Sequence, residues 1–185
     1  MRRYAELLAG LGSVRPFDYP YARAGGARKA PDKLEVLVAA HRAELDALRA
    51  ESAAADGLFL AGKSMGSRVG CHVAVDIGAR ASVRGLICFG YPLRGQNGKL
   101  RDEVLLALQT PILFVQGTRD TLCSLDELEQ VRKRMSAPSE LYVVESGDHS
   151  LEATKTWLKQ RGTTQAAVEA AILARVREFC ELNRA

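Results

Sequence analysis

Two hydrophobic periodicities share the chain. Leu34, Leu37, Val38, His41, Leu45 and Leu48 recur at i, i+3, i+4 and i+7 intervals, which predicts an amphipathic helix. Set against it are short, nearly continuous apolar runs: Gly57 to Ala61, Val83 to Gly90, Pro111 to Gly117 and Glu140 to Glu145. Each is bounded by turn residues and reads as a buried strand. Helices are predicted over 65–79, 125–135 and 164–183, the last with Val168, Ile172, Val176 and Phe179 on one stripe. A short helix over 2–10, stopped by Gly10 and Gly12, comes first, followed by a strand over Ser13 to Tyr19 that ends at Pro20. Tyr21 to Pro31 reads as a loop, with Pro31 and Asp32 at the entry of the next helix. Strands alternating with helices along the whole length predict an α/β fold, an open, mostly parallel sheet with helices on both faces.

The 185 residues suffice for one core and are too few for two ordinary ones, so a single domain over 1–185 is expected. Hydrophobic residues make up 47% and charged residues 26%, a globular balance, and no apolar run is long enough to cross a bilayer. The net charge of +4 comes mostly from arginines dispersed along helices, with one denser patch at Arg15, Arg23, Arg28 and Lys29. No basic stripe interleaved with aromatic residues accompanies it, so the patch reads as a solvated face and nucleic acid is not the expected partner. Cys71, Cys88, Cys123 and Cys180 are widely spaced and lack C-x-x-C pairing, which predicts reduced thiols in an intracellular, cytoplasmic or nuclear protein.

The run at Gly57 leads into Gly62-Lys63-Ser64-Met65-Gly66, a G-x-S-x-G pentapeptide between a strand and a helix. That context predicts a nucleophile elbow: a serine on a tight strand-to-helix turn, with Gly62 and Gly66 giving clearance on either side. The Ser64 hydroxyl then stands clear of the sheet. The Met65 N–H, at the start of the following helix, can donate to an oxyanion.

Ser64, Asp120 and His149 each follow the carboxyl end of a predicted strand, where reactive groups collect in open α/β sheets. Their chain order, Ser then Asp then His, is that of α/β-hydrolase triads and differs from the two familiar serine-protease folds. In that reading His149 is the general base and Asp120 orients it. His72 lies eight residues beyond Ser64 on one helix, about 12 Å away by helical rise, and reads as a packing residue. His41, on an apolar stripe, does too. Asp148 adjoins His149 and reaches its ring nitrogen poorly, Glu127 falls in a helix, and Asp126 stands in reserve behind Asp120. Lys63 reads equally as a substrate contact or a solvated charge.

The runs Gly62-Lys63-Ser64-Met65-Gly66, Gly90-Tyr91-Pro92-Leu93, Phe114-Val115-Gln116-Gly117-Thr118-Arg119-Asp120 and Gly147-Asp148-His149-Ser150-Leu151 carry a resemblance. Together they resemble the α/β-hydrolase-like family that includes a testis-expressed protein and a non-catalytic subunit of a histone acetyltransferase complex, the NSL complex. The resemblance spans nearly the whole chain and implies an α/β-hydrolase fold, a Ser64, Asp120, His149 triad, and no metal or organic cofactor. Ser67 stands where the family more often has glycine. The family's opening strand and His-Gly-rich oxyanion loop are not matched, which gives the expectation of an N-terminally truncated hydrolase fold or of a Ser13 strand paired directly with the elbow strand.

The function expected is a serine hydrolase, esterase-like, that cleaves small acyl substrates through an acyl-enzyme on Ser64. About 20 residues separate Gly90 from Pro111, too few for a folded cap domain, so an open pocket near Tyr91 and Leu93 is expected. The rival expectation is a catalytically weak or silent hydrolase fold that serves as an interaction module for protein partners in a chromatin-related complex.

Overall fold

The four apolar runs pair in chain order into one parallel sheet: β1 (Leu58–Lys63), β2 (Val83–Phe89), β3 (Ile112–Gly117) and β4 (Ser139–Val144). This computed structural model describes residues 2–23, 31–51, 57–77, 83–95 and 97–184. Contacts group the chain into two compact units, Met1–Asp56 and Gly57–Ala185.

In the first unit the i, i+4, i+8 spacing of Leu37, His41 and Leu45 forms the buried stripe of α3 (Leu34–Glu51). Tyr4 and Leu8 are the buried positions of α1 (Arg2–Leu8). The strand expected over Ser13 to Tyr19 does not form, so its pairing with the elbow strand does not form either. Pro16 removes a ladder donor, and the rings beside it have another use. Phe17 and Tyr19 lie against the His41 imidazole with ring centroids 4.9 Å and 6.2 Å away, and the Tyr19 hydroxyl is 3.3 Å from His41 Nδ1. Burial pushes the His41 pKa down to about 4 and pushes the Tyr19 phenol up. Pro20 opens a further short helix, α2 (Pro20–Arg23), its missing N–H costing nothing at a first helical position. Arg15 pairs with Glu51 and Glu44, and Arg23 with Glu44, so half of the basic patch is spent on carboxylates of α3. Arg28, Lys29 and the last two residues of the helix expected over 65–79 lie outside the described residues.

In the second unit β3 is buried at all six positions and β2 at its last five, as strands covered on both faces should be. Phe59 and Gly62, three apart on β1, point to opposite faces. Phe59 meets Phe179 of α8 (Gln165–Leu182) edge to face at 6.2 Å, whereas Gly62 faces α4 (Met65–Ile77). Helices therefore cover both sides of the sheet. Gly85 on β2 makes room for that aromatic pair: a β-carbon there would lie 2.8 Å from one Phe179 ring carbon and 3.0 Å from one of Phe59. Three shorter helices complete the unit: α5 (Glu103–Leu106), α6 (Leu125–Arg132) and α7 (Lys155–Gln160). The last has no amphipathic stripe to announce it and is held by its cap, Thr154, whose hydroxyl accepts from Trp157 N–H. No described helix is long and apolar enough to cross a membrane. All four cysteines are free thiols, and Cys71, Cys88 and Cys123 are buried.

Candidate active site

Parallel strands all deliver their carboxyl ends to one edge of a sheet, so the loops after β1, β3 and β4 meet there. At the end of β1 the chain turns through Ser64, whose φ is +52°, a left-handed conformation that a non-glycine residue adopts only under constraint from its surroundings. The constraints are visible. Ser64 N–H donates to Phe89 O on β2 at 3.0 Å, and Ser64 O accepts from Ser67 N–H at 3.0 Å and Arg68 N–H at 3.3 Å, starting α4. Ser67, which stands where glycine is the more usual residue, is buried and donates its hydroxyl to the same carbonyl at 2.5 Å.

The two glycines of the pentapeptide differ in what they contribute. A β-carbon on Gly62 would lie 2.4 Å from both Gly66 C and Ser67 N, so strand and helix touch main chain to main chain. A β-carbon on Gly66 would meet nothing within 4 Å, so the clearance expected of both residues is required only of the first. Met65 is the first residue of α4, where a helix offers its N–H no internal acceptor.

His149 lies in the loop after β4. Asp148 does not act as its partner: Asp148 Oδ1 accepts from Ser150 N–H at 2.7 Å and Glu152 N–H at 3.1 Å, closing the loop on itself. The neighbouring glycines seat that loop. A β-carbon on Gly117 would lie 2.2 Å from Gly147 O, and one on Gly90 (φ +59°) would lie 2.7 Å from His149 O and 3.4 Å from His149 Nδ1. The imidazole bridges the other two residues, with Nε2 2.8 Å from Ser64 Oγ and Nδ1 2.7 Å from Asp120 Oδ2. Since the carboxylate only accepts, Nδ1 carries the proton and Nε2 is free to accept from the serine hydroxyl.

The Asp120 side chain is fully buried. Its Oδ1 accepts from Leu122 N–H at 2.8 Å, and its Oδ2 accepts from Gln116 Nε2 at 2.5 Å as well as from His149. Asp126 is exposed in the first turn of α6, and Glu127 pairs with Arg94, so neither enters this cluster. His72 is half-buried along α4, where burial first and then Arg68 lower its pKa. Beside the cluster, Lys63 Nζ reaches Ser150 Oγ at 3.3 Å and makes no ion pair with a described carboxylate. Among the described residues no group of three or more His, Cys, Asp or Glu is placed to hold a metal ion.

The pocket expected near Tyr91 and Leu93 is corrected. Both side chains are fully buried: the Tyr91 ring packs edge to face on Phe114 at 5.8 Å, and its hydroxyl donates to Arg101 O at 3.3 Å. They follow a strand end, as the reactive residues do, but their side chains turn into the core. Sequence reasoning also passed over Gln116, although an amide inside the otherwise apolar strand Ile112–Gly117 is itself a signal that something polar must meet it.

Solved structures share this architecture. The chain is similar to an alpha-beta serine hydrolase homologue from Coxiella burnetii at 22% identity and a TM-score of 0.57, a match that covers 88% of this chain and only 65% of that one. It is also similar to a monoacylglycerol lipase from Paleococcus ferrophilus, at 13% identity and a TM-score of 0.68 over 96% and 90% of the two chains. A metagenome-derived lipolytic enzyme matches at 16% identity and 0.72 over 97% and 86%. None of these three relatives carries the likeness to a chromatin-complex subunit. Residues 1–181 match the alpha/beta hydrolase domain, and the chain belongs to that family.

Proposed function

We propose that this protein is a serine hydrolase of esterase type, with Ser64 as nucleophile, His149 as base and Asp120 as orienting acid. The observation that supports this reading best is the unbroken hydrogen-bonded chain from Ser64 Oγ through both nitrogens of His149 to Asp120 Oδ2. In the reaction, Ser64 Oγ attacks the ester carbonyl while His149 Nε2 takes its proton. The tetrahedral oxyanion then faces the unused N–H of Met65. Collapse breaks the ester C–O bond, and the leaving alkoxide departs as an alcohol with the proton held on His149. A water, deprotonated by His149, releases the acid from the acyl-enzyme by the reverse sequence.

Lys63 is our candidate substrate contact, because its ammonium stands one residue from the nucleophile without a carboxylate partner among the described residues. The substrate is a small acyl ester that needs no metal. Free, largely buried cysteines fit a reducing intracellular compartment. The interaction-module reading has no feature of the site in its favour.

The test is labelling with a fluorophosphonate probe together with hydrolysis of a p-nitrophenyl ester. Wild-type protein should label and turn over, and Ser64→Ala should do neither. Wild-type protein that folds and does not label would exclude the proposal.

A further inference from the structure

Gln116 is a fully buried amide in a strand whose other five residues are Ile, Leu, Phe, Val and Gly. Burying an amide is unfavourable unless both of its ends are satisfied. Here they are, and the orientation follows from chemistry alone. The backbone N–H of Tyr91 can only donate, so the atom facing it at 3.0 Å must be the Gln116 carbonyl oxygen. The NH₂ group therefore faces Asp120, whose Oδ2 receives it at 2.5 Å. That oxygen is also the one that receives His149 Nδ1.

Gln116 thus joins three parts of the site. It grips the acid directly. It also ties down Tyr91, the residue after Gly90, against whose backbone His149 rests so closely that a β-carbon on Gly90 would sit 2.7 Å from the His149 carbonyl. With Leu122 N–H on Oδ1 and Gln116 on Oδ2, rotation of the carboxylate about its Cβ–Cγ bond would break two hydrogen bonds besides the one to the imidazole.

We propose that Gln116 is a positioning residue of the hydrolase: it fixes the rotation of the Asp120 carboxylate, and through Tyr91 the wall behind His149, so that Nε2 stays aimed at Ser64. This rests on the hydrolase reading above. No contact of Gln116 with substrate is involved.

The experiment compares wild type with Gln116→Met, which is unbranched and similar in size but replaces neither hydrogen bond, and with Gln116→Glu. The introduced carboxyl still accepts from Tyr91 N–H and, when protonated, donates to Asp120. Burial beside a second carboxylate favours that protonated form. For a p-nitrophenyl ester, Gln116→Met should lower kcat by about 10- to 100-fold, the range expected when a reacting group is misplaced by an ångström or less, with KM within about twofold of wild type. Gln116→Glu should be weak at pH 8 and recover relative to wild type as pH falls to 6. A residue that merely fills the core would lower the melting temperature of both variants without that recovery.

Folded Gln116→Met with an unchanged kcat overturns the proposal. If Gln116→Met does not fold, a Gln116→Glu to wild-type activity ratio that stays flat from pH 8 to 6 overturns it instead. Failure of the hydrolase reading would look different, since wild-type Ser64 would then not react with a fluorophosphonate at all.

Discussion

The carbonyl oxygen of Gly147 lies 2.2 Å from the point where a β-carbon on Gly117 would be, so the end of β3 and the loop that carries His149 meet with no side chain between them. Gly117→Ala cannot be absorbed by a rotamer change, because the obstacle is backbone. The loop must move, and His149 with it. We expect a loss of about 1–3 kcal/mol in stability, as for overpacking elsewhere, and a fall in kcat of about a hundredfold. Urea unfolding and steady-state kinetics on the same preparation check the two parts.

Gly62 and Gly66 should respond in opposite ways. Alanine at 62 would drive a β-carbon into the first turn of α4 at 2.4 Å, and should destabilise by about 1–3 kcal/mol or more. Alanine at 66 points into open space within a helix, where it is favoured over glycine by up to about 1 kcal/mol. Thermal unfolding of the two single variants distinguishes them, and equal destabilisation would contradict the geometry.

The hydrogen-bonded chain predicts non-additivity. Ser64→Ala and His149→Ala should each cost about a thousandfold or more in kcat, and the double variant should lose little beyond either single one, since the groups act as a unit. Rates that multiply in the double variant would mean that the two residues do not share a mechanism.

His41 makes the first unit acid-sensitive. Its pKa is lowered from 6.5 to about 4, chiefly by burial against Phe17 and Tyr19, with Glu44 opposing. The folded form therefore binds fewer protons than the unfolded one between those values, and stability falls as pH drops from 6.5 towards 4. The full difference is roughly 3 kcal/mol. His41→Phe removes the titrating group and should flatten that part of the profile. Melting temperatures of both proteins from pH 7 to 4 decide the point: parallel curves would rule it out.

Much of this architecture could be read from hydrophobic period alone. The four apolar runs pair as strands, and residues just past three of their carboxyl ends converge, because a parallel sheet sends those ends to one edge. What period cannot report is where a side chain goes once the strand is over. Tyr91 and Leu93 follow β2 much as Ser64 follows β1, yet both turn inward, and Phe114 rather than a substrate lies against the Tyr91 ring. The segment Ser13 to Tyr19 reads as a short strand ending at Pro20, but its aromatic side chains lie against His41. Gln116 was legible only as an anomaly, since its partners, Asp120 and Tyr91, come from a turn and from another strand end.

Three glycines, at 62, 90 and 117, let the strands touch the elbow helix and the histidine loop directly. Alignment of the reactive atoms is consequently referenced to main chain and not to the fit of apolar side chains behind it. Wear in the core and wear in the site become separable. A substitution such as Leu113→Ala or Ile172→Val should be felt as a lower melting temperature well before it is felt as a slower reaction. A lineage carrying this site has latitude to exchange core residues, and to drift in thermal tolerance, while its chemistry stays in register.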